Sequence, residues 1–550
     1  MKKILRHLPI VLVLFITACG HRKTPPREKQ IVVNERELEE VIKENIAERL
    51  DYVAGNDGQM EDSVPVRSVS ALQMSYSRTG NAAQWSKSGA VSSNMDSLIR
   101  LIGEAANYGL VPAHYHSQAL LEGLNQLKSN KEARKDAALW AKMDVMLTDA
   151  FFKLATHLHY GVAPRDSVTF RTDSTFSDTS MVEMLSAALA DRRVLTVLHQ
   201  LEPRHQGYVS LREALVSFQQ QYGSLSWDTL PQTYTDTADF RMRLAHRLVQ
   251  SRHLDTNGVV IDTNVIKTAV KAFQKEFNMY PDGVAGKRTV QALNRPASDW
   301  VAQVALNLDR WRKLPDTMTR RYIWVNIPGY RMDVFENDTL QLSSRVIVGT
   351  PRTRTPILNS TMTNFVLYPY WRVPYSIVFK EMLPAIKKDV GYLASKNLEV
   401  VDKDNQVVSP DSINWSKLGK GNFPYVLRQM DGLDNSLGIM KFNFANKYSV
   451  YLHDTNNRRL FNNAFRSLSH GCVRVQQWDS LAHYLVRNDP KSHDSIRVWL
   501  DRGEKKAIPL TNRIAIYLRY FTAEGIEGKM QFYDDIYGED KVMRKYLGYK

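Results

Sequence analysis

An α+β multidomain fold is predicted, with a helical first part, a small three-helix module and a mostly antiparallel β domain running towards the C-terminus. Three observations predict it. The chain has 550 residues, too many for one hydrophobic core, so about two to four domains are expected. Apolar residues recur at helical spacing as far as about Thr317. At Arg321 the period falls from about 3.6 residues to about 2, and short alternating runs follow one another.

Composition narrows the class. Apolar content of 43% and charged content of 24% suit a folded soluble chain. The net charge of +15 favours anionic partners: nucleic acid, anionic lipid or a carboxylate-rich polymer. No zinc-finger cysteine pairs occur, and a basic balance alone does not indicate nucleic acid. The only cysteines are Cys19 and Cys472, so a disulfide framework is not expected and each thiol needs its own explanation.

At the N-terminus Lys2, Lys3 and Arg6 precede an apolar run from Leu8 to Ile16. The run is too short to span a bilayer comfortably and fits the core of a signal peptide over residues 1–18; an N-terminal anchor helix is the alternative. Ile16-Thr17-Ala18-Cys19 resembles the lipobox of bacterial lipoproteins. That resemblance implies cleavage before Cys19, which would carry diacylglycerol and an N-acyl chain. Several chains on one residue hold a protein firmly, because each buried methylene adds about 0.8 kcal/mol. The polar, proline-bearing stretch from Gly20 to about Gln30 reads as a flexible tether. Leu38, Val41, Ile42, Ile46 and Leu50 then make one helix within residues 19–64.

Residues 65–246 read as mostly helical. Met143 to Leu158 is an amphipathic run that stops at Gly161 and Pro164. His157 and His159 lie two apart, do not share a helix face, and are read as packing or surface residues. A compact module follows at 247–296, with Val265, Ala269, Val270, Phe273 and Phe277 on one helical stripe and a Pro281-Asp282-Gly283 turn. Ala269 to Gln274, Asp282 to Gly286, Thr289 and Ala292-Leu293-Asn294 resemble the peptidoglycan-binding type 1 domain. The fold follows from that resemblance more firmly than ligand binding does, because these same residues build the core and turns. Residues 297–320 return to helix, with Val301, Val304, Ala305, Leu308 and Trp311 on one face. Strands are then predicted at Tyr322 to Ile327, Arg331 to Glu336 and Thr339 to Val348, with a turn at Asn337-Asp338.

The chemistry gathers near Cys472. Tyr448 to Asp454 alternates apolar and polar residues, so Tyr451 and His453 share one strand face and Leu452 takes the other. Thr455 to Leu468, rich in Asn and Arg, reads as a loop long enough to bring Cys472 back beside His453. A histidine that takes the thiol proton makes the cysteine a nucleophile. Gly471 leaves room for a substrate and is expected to free a backbone N–H for a developing oxyanion.

Ser469-His470-Gly471-Cys472, Arg474 and the upstream Tyr451-X-His453-Asp454-Thr455 resemble the YkuD-type L,D-transpeptidase catalytic domain, in its large subfamily. Tyr370 to Pro374, Leu383-Pro384, Gly391 to Leu393, Asn435 to Gly438, Lys441-Phe442, Leu460 to Asn462 and Asp534 to Gly538 resemble further landmarks of that subfamily. The resemblance implies a helical scaffold domain (65–246 and 297–320) interrupted by the module, then a catalytic domain over 321–550 with a capping insertion at about 373–425. It implies Cys472 as nucleophile and His453 as general base, with Asp454 at a position where the family uses a backbone carbonyl to orient the imidazole. His470 either orders the loop or meets substrate. Tyr451 either holds the oxyanion or substrate or packs, and Arg474 either pairs with a substrate carboxylate or braces the loop. Ser469 and Gly471 complete the motif.

The function expected from this resemblance is a peptidoglycan L,D-transpeptidase that joins stem peptides 3→3 through a thioester, with no metal or cofactor and no nucleic-acid partner. Transfer to water, transfer to a protein lysine, and a non-catalytic lipid-anchored wall-binding scaffold are the alternatives. A papain-like protease is disfavoured because there the cysteine precedes the histidine. Gly20 after Cys19 favours the outer membrane, facing the periplasm, over retention at the inner membrane.

Overall fold

The change of period at Arg321 marks a change of architecture in the computed structural model, which describes residues 24–34, 36–87, 89–165, 170–171, 176–232, 237–255 and 261–549. Cys19 and the signal-peptide segment lie outside the described residues.

Two compact units divide the chain. The first is helical. Its centre is the helix Ala137–Tyr160, which is buried on nearly every side and is not the amphipathic element expected. Its polar positions are satisfied internally: Asp144 accepts from the Tyr76 hydroxyl at 2.7 Å and the Trp85 N–H at 2.9 Å, and Thr148 accepts from the Trp85 indole at 2.9 Å. A buried helix can carry such groups only when each finds a partner. His157 bonds the Tyr115 hydroxyl at 2.8 Å, and His159 packs on Phe176 with ring centroids 4.8 Å apart. The end of the expected tether is tied down: the Gln30 N–H donates to Asp136 at 2.8 Å, and Arg49 donates to the Arg27 carbonyl at 2.8 Å.

The second unit holds the module and the β domain. Asp262 caps the helix Thr263–Glu276 by accepting from the Asn264 and Val265 N–H groups. At the following turn Gly283 sits at φ 77, its N–H donating to Gln274, while Asp282 accepts from Val284. The module is no island. Phe273, Phe277 and Leu293 share one core with Leu211 and Phe218 of Gln206–Tyr222, Trp300 and Val304 of Ala297–Arg312, and Phe532 of the C-terminal hairpin. The helices Gln206–Tyr222 and Ala297–Arg312, on either side of the module in the chain, therefore pack with it and with the C-terminal hairpin.

The β domain is one nine-stranded sheet in the order Ser467–Ser469, Thr339–Gly349, Val473–Val475, Leu452–His453, Met440–Phe444, Leu358–Leu367, Lys506–Arg519, Arg321–Asn326, Arg331–Glu336. A further pairing of Arg331–Glu336 with Thr339–Gly349 closes it on itself. The sheet is mostly antiparallel, as expected, with three parallel pairings. Its interior is apolar, with Ile323, Met362, Phe365, Phe442, Leu452, Val473 and Ile516 fully buried.

The capping insertion is a lobe with its own core of Val378, Ile386, Val400 and Leu427 and its own four-stranded sheet. It is wider than the expected 373–425. The strands Trp371–Arg372 and Val426–Gln429 pair with each other at its base and belong to it.

Candidate active site

Strand register assembles the site. Leu452–His453 pairs in parallel with Val473–Val475, setting Leu452 opposite Val473 and His453 opposite Arg474. The Val473 N–H donates to the Tyr451 carbonyl at 3.1 Å, which carries the register back to Tyr451 and Cys472. On the other side Met440–Phe444 sets Lys441 opposite His453 and Phe442 opposite Leu452. Because side chains alternate along a strand, Phe442, Leu452 and Val473 enter the core. Lys441, Tyr451, His453, Cys472 and Arg474 then share the opposite face.

The loop before the thiol is braced from within. Ser469 Oγ donates to the Cys472 carbonyl at 2.6 Å and accepts the Gly471 N–H at 3.1 Å. The expectation that Gly471 frees its N–H is thus corrected: the serine side chain folds back and occupies it. Glycine is required there for another reason, its φ of 119. Thr353 and Thr355 donate to the Ser469 and Gly471 carbonyls at 3.0 and 2.8 Å, fixing the loop to the neighbouring turn. His470 points to the lobe, its Nε2 lying 2.7 Å from Glu381 Oε1.

The thiol is half-buried, with Sγ 3.9 Å from the Ser449 carbonyl oxygen. Burial pushes the Cys472 pKa up, while the Tyr451 backbone and hydroxyl and the charges of Lys441 and Arg474 act against that rise. The Tyr451 ring meets the His453 ring edge-on at 5.7 Å, and burial and the Cys472 charge hold its hydroxyl protonated. His453 is buried, 4% exposed, and burial with the nearby Arg474 pushes its pKa down to about 3. Its Nδ1 has no hydrogen bond among the described residues, although the backbones of Asp454 and Leu437 favour the charged ring. The imidazole is therefore neutral across the physiological range.

Asp454 turns away from this face. Its buried carboxylate accepts from the Ile439 N–H at 3.1 Å and from Arg458 at 2.7 and 3.1 Å, against Gly438 at φ 62. It holds the Leu437–Ile439 turn beside His453. Beyond Gly471 lies a cavity of about 560 Å³ bounded by Thr355, Tyr448, Val450, His470 and Tyr537.

Three contributors escaped the motif reading. Lys441 and Trp371 were visible only as landmarks, since their places beside Tyr451 need the strand pairing and the lobe. Trp371 acts on Tyr451 and Glu381 on His470, both from the lobe. No local signal marked Glu381, which reaches the site from a separately folded insertion.

A thiol, a neutral imidazole and two cations on one face of a closed sheet, beside a separate lobe, define a cysteine-centred candidate site. Comparison with known proteins matches three segments of the chain to known domain families. Residues 320–491 match the L,D-transpeptidase catalytic domain (YkuD), residues 250–293 the family described as "Putative peptidoglycan binding domain", and residues 70–215 the scaffold domain. The chain carries an L,D-transpeptidase catalytic domain of the YkuD family, joined to a scaffold domain and a peptidoglycan-binding-type module. A Haemophilus influenzae protein named "Putative L,D-transpeptidase" is 34% identical over 286 residues, 51% of this chain and 56% of that relative. The chain thus spans little more than half the length of the curated relative it matches. A crystal structure of an L,D-transpeptidase from Xylanimonas cellulosilytica is 13% identical, covering 53% of this chain and 99% of that one, with a TM-score of 0.16. The long strand Lys506–Arg519 lies beyond the matched catalytic segment, yet it stands between Leu358–Leu367 and Arg321–Asn326 in the sheet.

Proposed function

We propose that the protein is a peptidoglycan L,D-transpeptidase that forms 3→3 cross-links through a Cys472 thioester. The observation that carries this reading is the shared face of Cys472, His453, Tyr451 and Arg474 within an L,D-transpeptidase catalytic domain. In the first half-reaction Cys472 Sγ attacks the carbonyl carbon at the L-centre of the third stem residue, and its proton passes to His453. The Tyr451 hydroxyl and the Cys472 N–H stabilise the oxyanion, a duty Gly471 cannot take while its N–H is held by Ser469. The C–N bond to the terminal D-Ala breaks, and D-Ala leaves with the proton from His453. In the second half-reaction the side-chain amine of another stem attacks the thioester. It forms an amide and returns the sulfur, with His453 receiving the amine proton.

The neutral state of His453 suits it to accept a proton. Arg474 meets a stem carboxylate, and the cavity beside Gly471 has the volume for a peptide segment. The lobe limits water at the thioester, favouring an amine acceptor over hydrolysis. A second cleft, about 1160 Å³, runs between Phe277, Tyr280 and Arg288 of the module and Tyr330 and Phe465 of the β domain, and it supports contact with a polymer. Lipidation at Cys19 and a periplasm-facing outer-membrane location complete the proposal, carried by the lipobox-like residues alone.

The test is incubation of the purified protein with disaccharide-tetrapeptides and mass spectrometry of the products. A cross-linked dimer lacking one D-Ala supports transpeptidation. Tripeptide monomer alone assigns a carboxypeptidase, and the absence of both turnover and a carbapenem adduct on Cys472 overturns an enzymatic role.

A further inference from the structure

Among the described residues, two cations face the thiol without an acid to neutralise them. Lys441 lies half-buried on Met440–Phe444, its Nζ 4.1 Å from the centroid of the Tyr451 ring, and among the described residues no carboxylate lies within ion-pair distance of it. Arg474, one strand over, is also half-buried, and its Nε is buried with no hydrogen bond. The acids in the neighbourhood are engaged elsewhere: Asp454 with Arg458, Glu381 with His470, and Glu539 with Arg354. The other titratable groups on this face are the Tyr451 phenol and the His453 ring. A buried unpaired cation is costly, and two of them on one face raise that cost further. The anion this face can supply is the Cys472 thiolate.

We propose that Lys441, with Arg474, is the counter-charge of the Cys472 thiolate, and that His453 is not its imidazolium partner. On ionisation in the free protein the Sγ–H bond breaks, the electron pair stays on sulfur, and the proton leaves to a water or buffer base. The face then carries two positive charges and one negative. The acylation step starts from the un-ionised thiol: His453 receives its proton only as the C–S bond forms, and passes it to the leaving amine. An imidazolium resting between Lys441 and Arg474 would put a third positive charge on the same face, which explains why the ring stays neutral. Burial and the two cations act on His453 in the same direction. For Cys472 burial opposes the cations, so the lysine limits a rise that burial alone would make larger. Lys441 acts here as an electrostatic positioning residue for the nucleophile.

The inference rests on Cys472 being the nucleophile, but its test needs no substrate. The full-length protein is alkylated with iodoacetamide from pH 5 to 10, and the rate at the Cys472 peptide is followed by mass spectrometry. K441M is expected to move the midpoint up by about one pH unit, a roughly tenfold slower reaction at neutral pH. K441R is expected to restore the wild-type midpoint, and H453Q to leave it nearly unchanged. Circular dichroism checks each fold, and K441Q replaces K441M if the latter unfolds. An unchanged midpoint in the folded Lys441 variant, or a larger upward shift in H453Q, overturns the proposal. A shifted midpoint with no turnover of tetrapeptides would leave this inference standing and remove the transpeptidase reading.

Discussion

The carboxylate of Glu381 meets the imidazole of His470 at 2.7 Å, so the capping lobe is fastened to the residue two positions before Cys472. Both side chains are about half exposed, 48% and 52%, and an exposed pair of this kind contributes about 0–1 kcal/mol. Glu381→Ala is therefore expected to leave thermal stability nearly unchanged. If the pair keeps the lobe over the thioester, the same variant shifts product from cross-linked dimer towards hydrolysed tripeptide. The dimer-to-tripeptide ratio by mass spectrometry checks this, and an unaltered ratio would separate the pair from water exclusion.

Removing the proposed nucleophile or the proposed base should separate two levels of loss. Cys472→Ala is expected to abolish both turnover and the carbapenem adduct. His453→Gln is expected to lower turnover about 10²–10⁴-fold, the usual worth of a positioned general base, while the thiol stays open to alkylation. Parallel activity and labelling assays check both.

Asp454 is expected to matter through the turn it holds. Asp454→Asn keeps the shape but weakens the bonds from Arg458 and the Ile439 N–H, with a stability cost of about 1–3 kcal/mol. Turnover should fall as well, because Leu437 and Ile439 back His453. Urea unfolding and steady-state kinetics measure the two effects. A destabilised variant with full activity would exclude the positioning role.

The pH dependence of activity follows from the two perturbed groups. His453 loses its proton at about 3, so no limb near pH 6.5 is expected from it. Cys472 ionises above its ordinary range because burial opposes the charged sulfur. kcat/KM should therefore stay level through neutral pH and fall at alkaline pH, where ionisation of Cys472 removes the proton that His453 passes to the leaving amine. A descending limb on the acid side centred near 6.5, lost in a His453 variant, would contradict the neutral resting imidazole.

Stability of the helical unit has its own pH window. His116 is buried between Asp62 at 2.7 Å and Asp149 at 2.9 Å, with Lys153 also on Asp149 at 2.8 Å. Burial disfavours the charged ring, but hydrogen bonds and charge from Asp149 and Asp62 override it and raise its pKa. Burial likewise pushes both aspartates up, and their bonds to His116 pull them below the usual carboxylate range. The histidine term is complete below the unfolded value of about 6.5 and is lost as pH rises through the higher folded pKa. The aspartate terms are complete above about 3.9 and are lost as pH falls through the lower folded pKa values. The melting-temperature gap between wild type and His116→Gln should thus be widest between about pH 4 and 6.5 and narrow above it. Scanning calorimetry across pH 4–9 measures that gap.

Much of this protein was legible before any pairing was known. The helical stripe of Phe273 and Phe277, the Asp282-Gly283 turn, the strand runs after Arg321 and the shared face of Tyr451 and His453 all follow from short-range periodicity and turn chemistry. Other features were not. The helix Ala137–Tyr160 reads as amphipathic because Asp144, Asp149 and Lys153 are polar, but in the fold those groups are buried and partnered. The Gly471 N–H reads as free because nothing in the motif shows Ser469 folding back onto it.

By itself the sequence determined the order of the elements, the thiol and imidazole proposed to carry the chemistry, and which side of its own strand each one takes. Only the tertiary structure decided that Lys441 joins them, that Arg331–Glu336 and Thr339–Gly349 close the sheet, and that Glu381 arrives from a separate lobe. The physical reason is that a period of about two specifies a face but not a neighbour. Which strand lies alongside, and in what register, is set by hydrogen bonds and core packing between residues far apart in the chain. Lys441 stands beside His453 because Phe442 and Leu452 are buried together on the other side.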